Sequence, residues 1–397
     1  MSRVYIVGTA DTKGEELAYM RDCVHTAGAQ CQLVDVGTRT PTIPVNVNAA
    51  EVAAFHADGA DALLSVDDRG TAMAMMGEAF AAYIQSQRDV AGIVSIGGGG
   101  GTSIVTTGMQ RLPVGVPKLM VSTLASGDVA PYVGPTDITM MHSVTDFAGL
   151  NQISRTILQN AAYAIVGMVN APEITADSKP ALGLTMFGVT TPCVTQVVEQ
   201  MRNRFDCLVF HATGTGGRAM EKLLDSGMLA GVIDATTTEV CDHLFGGVLS
   251  AGPDRFGAIS RTTLPYVGSV GALDMVNFWA PETVPAHYQD RLLYKHNPNV
   301  TLMRTTKEEN IEMGRWIGDK LNQCQGAVRF LLPEKGVSAL DVDGGPFFDP
   351  EADEALFSAL EETVDQTDDR RLVRLPLHIN DPQFSAQLAE TFLSISN

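Results

Sequence analysis

The first half of this 397-residue chain alternates short apolar runs with amphipathic stretches, and this alternation constrains the fold more than any other feature. The runs typical of buried strands are Val4–Val7, Gln32–Val36, Ala62–Val66, Ile93–Ile96 and Lys118–Ser122. Helical patterns lie between them at Glu15–Ala27 and Thr71–Gln87, and a longer one covers Asn151–Val169. Strands that alternate with helices predict a parallel sheet covered by helices on both faces.

The second half of the chain starts the same rhythm again after a polar segment. Residues Asn170–Pro180 carry two prolines, a composition typical of a crossing between domains. Strand-like runs and helical patterns then follow at Leu182–Phe187, Val194–Arg204, Cys207–His211, Gly216–Ser226, Gly231–Asp234, Thr306–Leu321, Val328–Leu332, Pro350–Thr363 and Asp381–Ile395. The sequence therefore predicts the α/β class, with tandem domains over residues 1–175 and 180–397 that each hold a mainly parallel sheet flanked by helices.

Composition excludes several classes of protein. Apolar residues make up 45% of the chain and charged residues 18%, a balance typical of a globular protein and not of a disordered one. A formal net charge of −19 repels a phosphate backbone, so nucleic acid is not an expected partner. No apolar run reaches the ~18 residues that a membrane span requires. The six cysteines form no C-x-x-C pair and the chain opens without a secretory segment, which favours free thiols in a reducing cytoplasm.

The loop after the first predicted strand, GTADTKGEE, opens the first predicted helix. Free N–H groups and the helix dipole at such a position favour an anion, and a carboxylate there can reach a divalent cation that bridges phosphates. The candidate ligand residues are Gly8, Thr9, Asp11, Thr12 and Lys13, with Asp11 as a metal candidate. The alternative is ordinary helix capping, in which Thr12 and Glu15 form a capping box. The loop matches neither Walker A nor G-x-G-x-x-G.

Five consecutive glycines follow the fourth strand-like run, in IVSIGGGGGTS. Because they stand between a strand and the helical pattern Thr102–Met109, a flexible linker is disfavoured. Thr102 takes the place of the third glycine of a dinucleotide fingerprint, which weakens that interpretation as well. Glycines let backbone N–H groups approach a phosphate closely. The run therefore predicts an anion cradle formed by Gly97, Gly98, Gly99, Gly100, Gly101 and Thr102.

Two further strand ends carry acidic residues. The loop after Lys118–Ser122 reads STLASGDV, and its candidate ligand residues are Ser122, Thr123, Ser126, Gly127 and Asp128. Asp128 is a second metal candidate, or it holds a ligand hydroxyl; the alternative is a plain Ser/Asp turn. Asp35 lies at the end of the second strand, where Rossmann folds place an acid that binds a ribose hydroxyl. A surface carboxylate is an equal alternative for Asp35.

In the second half, the stretch FHATGTGGRAME repeats the design of a strand, a glycine loop and a helix. His211 is able to exchange protons at neutral pH, and Arg218 is able to grip a carboxylate or a phosphate with two N–H groups. Together with Glu221 they are the candidate catalytic residues. The alternative for His211 is a strand-end side chain satisfied by the backbone. Glu239 and His243 lie on one helical face, but two ligands are too few to indicate a metal site.

Five segments together are similar to those of one family: GTADTKGEE, SIGGGGGTS, VSTLASGDVAPYVGPTDITMMHSVTDFAGLN, FHATGTGGRAME and VRFLLPEKGVSALD. On these segments the chain resembles the UPF0261 family, whose members are also described as proteins with a Tm-1-like ATP-binding domain. The resemblance implies two Rossmann-like subdomains, ATP with Mg²⁺ held by N-terminal loops, and dimerisation. The matching positions are those of Gly8–Gly14, the glycine run and Ser122–Asp128.

The sequence leads to one preferred function and three alternatives. The preferred hypothesis is an ATP-binding protein that holds Mg-nucleotide in strand-end loops near an interdomain cleft. The first alternative is an ATP-dependent enzyme in which His211, Arg218 and Glu221 bind a small anionic metabolite for phosphoryl transfer or carboxylate activation. The second is an interaction module in which nucleotide sets domain closure, and the third is an NAD(P) dehydrogenase. We expect a homodimer or higher homo-oligomer in the cytoplasm, without nucleic-acid or membrane partners.

Overall fold

The computed structural model describes residues 2–172 and 179–396. Contacts between residues group the chain into two units, residues 1–175 and 176–397. The central part of the polar segment that the sequence predicts as a domain crossing, residues 173–178, lies outside the described residues. Among the described residues, no helix is both long enough and apolar enough to cross a membrane.

The first unit is built on a parallel sheet of five strands. In chain order these are β1 (Arg3–Gly8), β2 (Cys31–Asp35), β3 (Val90–Gly97), β4 (Lys118–Ser122) and β5 (Thr139–His142). The spatial order is β2-β1-β3-β4-β5, and every neighbouring pair is parallel. The chain leaves β1 for β2 on one side and places β3 on the other side. The strand order therefore reverses between β1 and β3.

Helices cover both faces of this sheet. They are α1 (Gly14–Thr26), α2 (Ala49–Ala53), α3 (Ala60–Leu64), α4 (Arg69–Ser86), α5 (Gly99–Met109), α6 (Ala130–Val133) and α7 (Gln152–Val169). Tyr5 of β1 packs in the same core cluster as Phe80 of α4, whereas Ile6 packs with Leu17 of α1 and Leu158 of α7. Successive side chains of a strand point to opposite faces, so burial on both faces explains the continuous apolar run in β1.

The second unit contains a six-stranded parallel sheet and a three-stranded antiparallel sheet. In chain order the strands are β6 (Ala181–Met186), β7 (Asp206–His211), β8 (Gly231–Thr236), β9 (Tyr266–Gly271), β10 (Met275–Phe278), β11 (Leu293–Asn297), β12 (Val300–Arg304), β13 (Val328–Pro333) and β14 (Arg370–Leu375). The parallel sheet has the order β14-β13-β9-β8-β6-β7, and the antiparallel sheet has the order β10-β12-β11. In the parallel sheet the order reverses between β6 and β8.

Helices also cover both faces of the larger sheet. They are α8 (Thr191–Met201), α9 (Thr215–Asp225), α10 (Glu239–Phe245), α11 (Gly257–Ser260), α12 (Lys307–Asn322), α13 (Pro350–Thr363) and α14 (Pro382–Ile395). Met313 of α12 and Leu356 of α13 lie in the largest core cluster, and Val194 of α8 packs with Leu388 of α14 in another. Short 3₁₀ turns complete the unit at Gly188–Thr190, Pro281–Thr283 and Ala286–Tyr288.

The α/β class with two tandem Rossmann-like domains is confirmed, but one strand prediction is wrong. The run Ala62–Val66 lies in and after helix α3, and of the residues of α3 only Leu63 is buried. A short apolar run does not by itself distinguish a strand from a helix. The sequence also misses several strands, among them β14, because this strand (RRLVRL) carries three arginines and lies at an edge of the sheet.

Candidate functional site

The loops that follow β1 and β3 border a cavity at the point where the strand order of the first unit reverses. Open parallel sheets bind ligands at this position, beyond the carboxyl ends of the strands. The cavity has a volume of about 580 Å³, which falls within the ~300–1,000 Å³ range of small-molecule sites. Its lining includes Thr9, Asp11, Thr12 and Lys13 after β1, and Gly98, Gly99, Gly100 and Gly101 after β3.

The glycine run forms the end of β3 and the first turn of α5, because β3 ends at Gly97 and α5 begins at Gly99. The sequence pattern predicts a helix only from Thr102, since glycine is a poor helix former. Gly98 is the N-cap and offers no side chain to the first N–H groups of the helix. Those N–H groups lack intrahelical acceptors, so they suit an anion at this end of the cavity.

The glycines of the run differ in what surrounds their missing side chains. A Cβ atom on Gly98 would have no neighbour closer than Thr123 Oγ1 at 3.8 Å, and one on Gly99 none closer than Leu124 Cδ1 at 3.6 Å. A Cβ atom on Gly100 would instead lie 2.5 Å from Met73 Sδ. A Cβ atom would therefore fit at Gly98 and Gly99 with ordinary contacts, whereas at position 100 the Met73 side chain would have to move.

Two predicted site glycines have a packing role at the strand ends. A Cβ atom on Gly8 would lie 2.9 Å from Leu17 Cδ2, and one on Gly97 would lie 2.9 Å from the backbone nitrogen of Thr102. Neither glycine belongs to the lining of the cavity among the described residues. Without side chains at these positions, the end of β1 packs closely against Leu17 of α1, and the end of β3 packs closely against the first turn of α5.

Three helix N-termini meet at the cavity. Lys13 directly precedes α1, Arg69 begins α4 and Gly99 begins α5, and all three residues belong to the lining. Each helix dipole places positive potential at its N-terminus. Arg39, in the segment after β2, adds a further cationic side chain to the lining. The site is thus suited to an anion although the whole chain carries a net charge of −19. The sequence analysis does not name Arg39, which lies shortly after β2, or Arg69, which begins α4.

The hydroxyl groups of the loop after β1 do not cap helix α1. Lys13, not Thr12, is the N-cap of α1, and no side chain bonds to the first N–H groups of this helix. The capping box of Thr12 and Glu15, the alternative interpretation of the loop, is therefore wrong. Thr9 Oγ1 and Thr12 Oγ1 lie 2.8 Å apart, and the Lys13 ammonium group donates to the carbonyl oxygen of Phe147. This bond holds Lys13 at the cavity wall.

Asp35 is fully buried at the end of β2, which excludes the surface-carboxylate alternative. Its Oδ1 accepts hydrogen bonds from the N–H groups of Ala10 at 2.9 Å and Gly37 at 2.8 Å. Its Oδ2 has no hydrogen-bond partner, and neither has the buried Oδ1 of Asp11. Burial raises the pKa of Asp35, as does the neighbouring charge of Asp11, while the two N–H groups act in the opposite direction.

Apolar side chains form a further part of the lining, the apolar wall. They come from the segments after β2 and after α3 and from α3, α4 and α5: Val36, Leu63, Leu64, Val66, Ala72, Met73 and Ile104. The sequence analysis missed this wall because it assigns Ala62–Val66 to a buried strand. An apolar wall beside a few polar groups is the usual construction of a small-molecule site.

The third predicted loop lies outside this cavity. Ser122 and Thr102 are fully buried, and their hydroxyl groups hydrogen-bond to each other at 2.7 Å. Asp128 Oδ1 accepts a hydrogen bond from the N–H of Ala130 at 3.0 Å, as the turn alternative predicts. The described residues that line the cavity do not include Thr123, Ser126, Gly127 or Asp128. The structure therefore does not bring Asp128 together with Asp11, and Ser122 supports the glycine run from behind.

The glycine loop of the second unit is filled by a carboxylate of the chain itself. Glu239 Oε1 accepts hydrogen bonds from the N–H groups of Gly214 at 2.7 Å and Gly217 at 3.0 Å. A Cβ atom on Gly217 would lie 2.0 Å from Glu239 Oε2. Glu239 is fully buried, so the position at the start of α9 that would suit an anion is already occupied.

The three candidate catalytic residues do not form one cluster. Glu221 is buried and accepts hydrogen bonds from Arg255 Nη1 at 3.0 Å and from the N–H of Phe256 at 2.6 Å. His211 and Arg218 are exposed, and the His211 ring lies 5.4 Å from the ring of Phe187. Burial raises the pKa of Glu221 to about 7, with Arg255 lowering it in part. The Glu221 carboxyl is thus engaged in the core and not at the exposed loop.

Arg255 is the centre of a buried charge network in the second unit. Besides Glu221, its guanidinium donates to Asp234 Oδ1 at 2.7 Å and to Glu239 Oε2 at 2.9 Å. The hydroxyl of Tyr266 donates to the other Asp234 oxygen at 2.8 Å. The network ties α9, β8 and α10 together, and it includes Glu221, which the sequence analysis names as a candidate catalytic residue.

The fold and the cavity define a two-domain α/β protein with a glycine-lined cavity in its first domain. The family model described as "Uncharacterised protein family (UPF0261) N-terminal domain" matches residues 2–173. The model of the C-terminal domain of the same family matches residues 179–396. The chain belongs to the UPF0261 family, as its motifs predict.

Bacterial and plant proteins resemble the chain over almost its whole length. A UPF0261 protein of Rhizobium meliloti (strain 1021) is 68% identical over 397 residues, with both chains covered completely. A UPF0261 protein of Clostridium tetani is 48% identical and covers 99% of this chain and 98% of its own length. The ToMV resistance protein Tm-1(GCR237) of Solanum lycopersicum is 40% identical over 99% of this chain, which spans 56% of the tomato protein.

Proposed function

We propose that the first unit binds ATP as its Mg²⁺ complex, in the cavity at the reversal point of the sheet. The observation that carries the proposal is the uncapped N-terminus of α5 at Gly98 and Gly99, two glycines that line the cavity. Backbone N–H groups at such a position bind phosphate groups without any formal charge on the protein. The cationic side chains of Lys13, Arg39 and Arg69 in the same lining add attraction for a triphosphate.

The two ends of the cavity match the two ends of a nucleotide. The phosphates would lie along Gly98–Gly101, with Lys13 at their side, and the base would lie against the apolar wall that includes Leu63 and Met73. Asp11 fits the metal, because its Oδ1 is buried without a hydrogen-bond partner. Magnesium in such sites is held by one or two carboxylates and by phosphate oxygens, and it would neutralise charge on the phosphates.

Isothermal titration of the full chain with ATP and Mg²⁺ tests the proposal, and replacing Lys13 by alanine sharpens it. We expect the Lys13→Ala variant to bind ATP about 10-fold more weakly, because it loses a charge-assisted contact worth ~1.5 kcal/mol or more. Lys295, an exposed lysine of β11 in the second unit, gives the matched control Lys295→Ala with unchanged affinity. Absence of binding at millimolar ATP would refute the function, and equal affinity of both variants would remove Lys13 from the site.

The cellular location, the oligomeric state and the enzymatic alternative complete the proposal. Every described cysteine is free, which fits the reducing cytoplasm where ATP is abundant. The homodimer or higher homo-oligomer stays a prediction from the family resemblance. The enzymatic alternative at His211, Arg218 and Glu221 also stays a prediction, and it gains no support from Glu221, whose carboxyl is bonded to Arg255.

A further inference from the structure

The geometry points to a divalent cation site formed by Asp11 and Asp35 that binds Mg²⁺ in the absence of nucleotide. The inference deepens the proposed function and rests on it for the role of the ion, which would receive the phosphates of ATP. Asp11 belongs to the cavity lining, and Asp35 lies at the end of β2, next to β1 in the sheet. The new element is Asp35, for which the sequence analysis leaves a ribose-binding acid and a surface carboxylate as equal alternatives.

The first observation is that both carboxylates have a buried oxygen without a hydrogen-bond partner. These atoms are Asp11 Oδ1 and Asp35 Oδ2, and the Asp35 side chain is fully buried. Buried polar atoms in folded proteins nearly always have a partner, because an unpaired one is costly. Two such atoms on neighbouring acidic side chains indicate that a ligand of the protein supplies the missing partner.

The second observation is the close approach of both carboxylates to Gly37. A Cβ atom on Gly37 would lie 2.9 Å from the unpartnered Asp11 Oδ1 and 3.0 Å from Asp35 Oδ1, so both carboxylates approach one point above this residue. This Asp35 oxygen is the one that also accepts hydrogen bonds from the N–H groups of Ala10 and Gly37. Gly37 itself belongs to the cavity lining. The absence of a side chain at position 37 leaves room for an ion that is reached from the cavity.

The third observation is that, among the described residues, no basic side chain forms an ion pair with Asp11 or Asp35, although Lys13 and Arg39 line the same cavity. A positive ion between the two carboxylates would neutralise their charge. The two N–H groups fix Asp35 Oδ1 and thereby hold the carboxylate rigidly, as a preformed metal site requires.

The donor set selects the class of metal. Carboxylate oxygens suit hard cations such as Mg²⁺ and Mn²⁺. Among the described residues no group of three or more His, Cys, Asp or Glu side chains is placed to hold a metal. A site with two carboxylates leaves the other coordination positions to water or phosphate, which is the usual arrangement for Mg²⁺ at nucleotides.

Titration of the metal-free full chain with Mn²⁺, followed by electron paramagnetic resonance without nucleotide, tests the inference. We expect a saturable site that Mg²⁺ displaces, and an affinity reduced at least 10-fold in Asp11→Asn and in Asp35→Asn. Gly37→Ala should weaken it as well, because the added methyl group fills the space between the carboxylates. Asp128→Asn is the matched control and should bind as the wild type. Equal Mn²⁺ affinity of Asp35→Asn and wild type, or no saturable binding, would overturn the inference.

A thermal melt in EDTA excludes misfolding as the cause of lost binding. Asparagine keeps the Oδ1 acceptor for Ala10 and Gly37 and removes a buried charge that repels Asp11. Asp35→Asn should therefore melt at least as high as the wild type, whereas a purely structural Asp35 would give a lower melting temperature. A lower melting temperature in EDTA would contradict the inference.

The two proposals fail in different ways. Mn²⁺ binding at this pair without any ATP affinity would refute the nucleotide proposal and keep the metal site. ATP binding in EDTA, together with absent Mn²⁺ binding, would keep the nucleotide site at the glycine run but refute both the Mg²⁺ complex and the metal site.

Discussion

Replacing Arg255 by methionine is expected to lower the free energy of unfolding of the second unit by about 3–5 kcal/mol. Arg255 is 2% exposed and bonds to the carboxylates of Glu221, Asp234 and Glu239. Methionine fills part of the volume but leaves three buried acidic groups without their cation. The loss should shrink as the pH falls from about 8 to about 5. A carboxyl whose pKa is higher in the folded state than in the unfolded state takes up a proton first in the folded state, so acidification over this range favours folding of the variant. Burial raises the pKa of Glu221 to about 7 even in the wild type, where Arg255 acts to lower it.

The chain contains a specific probe for this measurement. Both tryptophans, Trp279 and Trp316, lie in the second unit, so urea unfolding followed by tryptophan fluorescence reports on that unit. Arg261→Met is the matched control, because Arg261 pairs with Asp225 and Asp254 with 46% of its side chain exposed. Exposed ion pairs contribute up to ~1 kcal/mol. Equal losses of unfolding free energy in the two variants would show that the buried network contributes no more to stability than the exposed ion pairs of Arg261.

Valine in place of Gly98 or Gly99 is expected to weaken ATP binding at least ~10-fold, which corresponds to ~1.4 kcal/mol. The added side chain would project beside the N–H groups of the first turn of α5 and prevent close approach of a phosphate. Gly98 has an extended backbone with φ −82° and ψ −162°, which valine adopts without strain. Because a Cβ atom would meet no atom closer than 3.6 Å at either position, the thermal stability should change by no more than ~0.5 kcal/mol.

A glycine far from the cavity provides the control for this series. Gly167 lies in α7, and a Cβ atom on it would have no neighbour within 4 Å. Gly167→Val should bind ATP with wild-type affinity by isothermal titration. Wild-type affinity in the Gly98 and Gly99 variants as well would return the glycine run to a purely structural role.

The sequence predicts the sheets well because their strands are buried on both faces and appear as continuous apolar runs. Lys118–Ser122 is predicted with the bounds that the structure shows. The strand β14 escapes prediction because an edge position tolerates its arginines. The segment around Leu63 escapes because one buried side chain in a short helix resembles the pattern of a strand.

The site is only partly predictable, because its decisive contacts join residues that are distant in the sequence. The loops SIGGGGGTS and FHATGTGGRAME look alike as sequence. Glu239 fills the second loop, whereas among the described residues no carboxylate lies within 4 Å of a Cβ atom built on Gly98 or Gly99. Asp35 and Asp128 are equally plausible acidic residues at strand ends, but only Asp35 is buried beside Asp11. Pairing of this kind is set by the order of strands in the sheet, which the sequence does not reveal.

A crystal structure of the full chain grown with ATP and Mg²⁺ tests the central claim most directly, since it locates the phosphates. The account predicts electron density for the triphosphate against Gly98–Gly101 in the first unit, with the Lys13 ammonium group beside it. Phosphates at Gly214–Gly217 of the second unit, where Glu239 now lies, would contradict it, as would an empty first-unit cavity at saturating ATP.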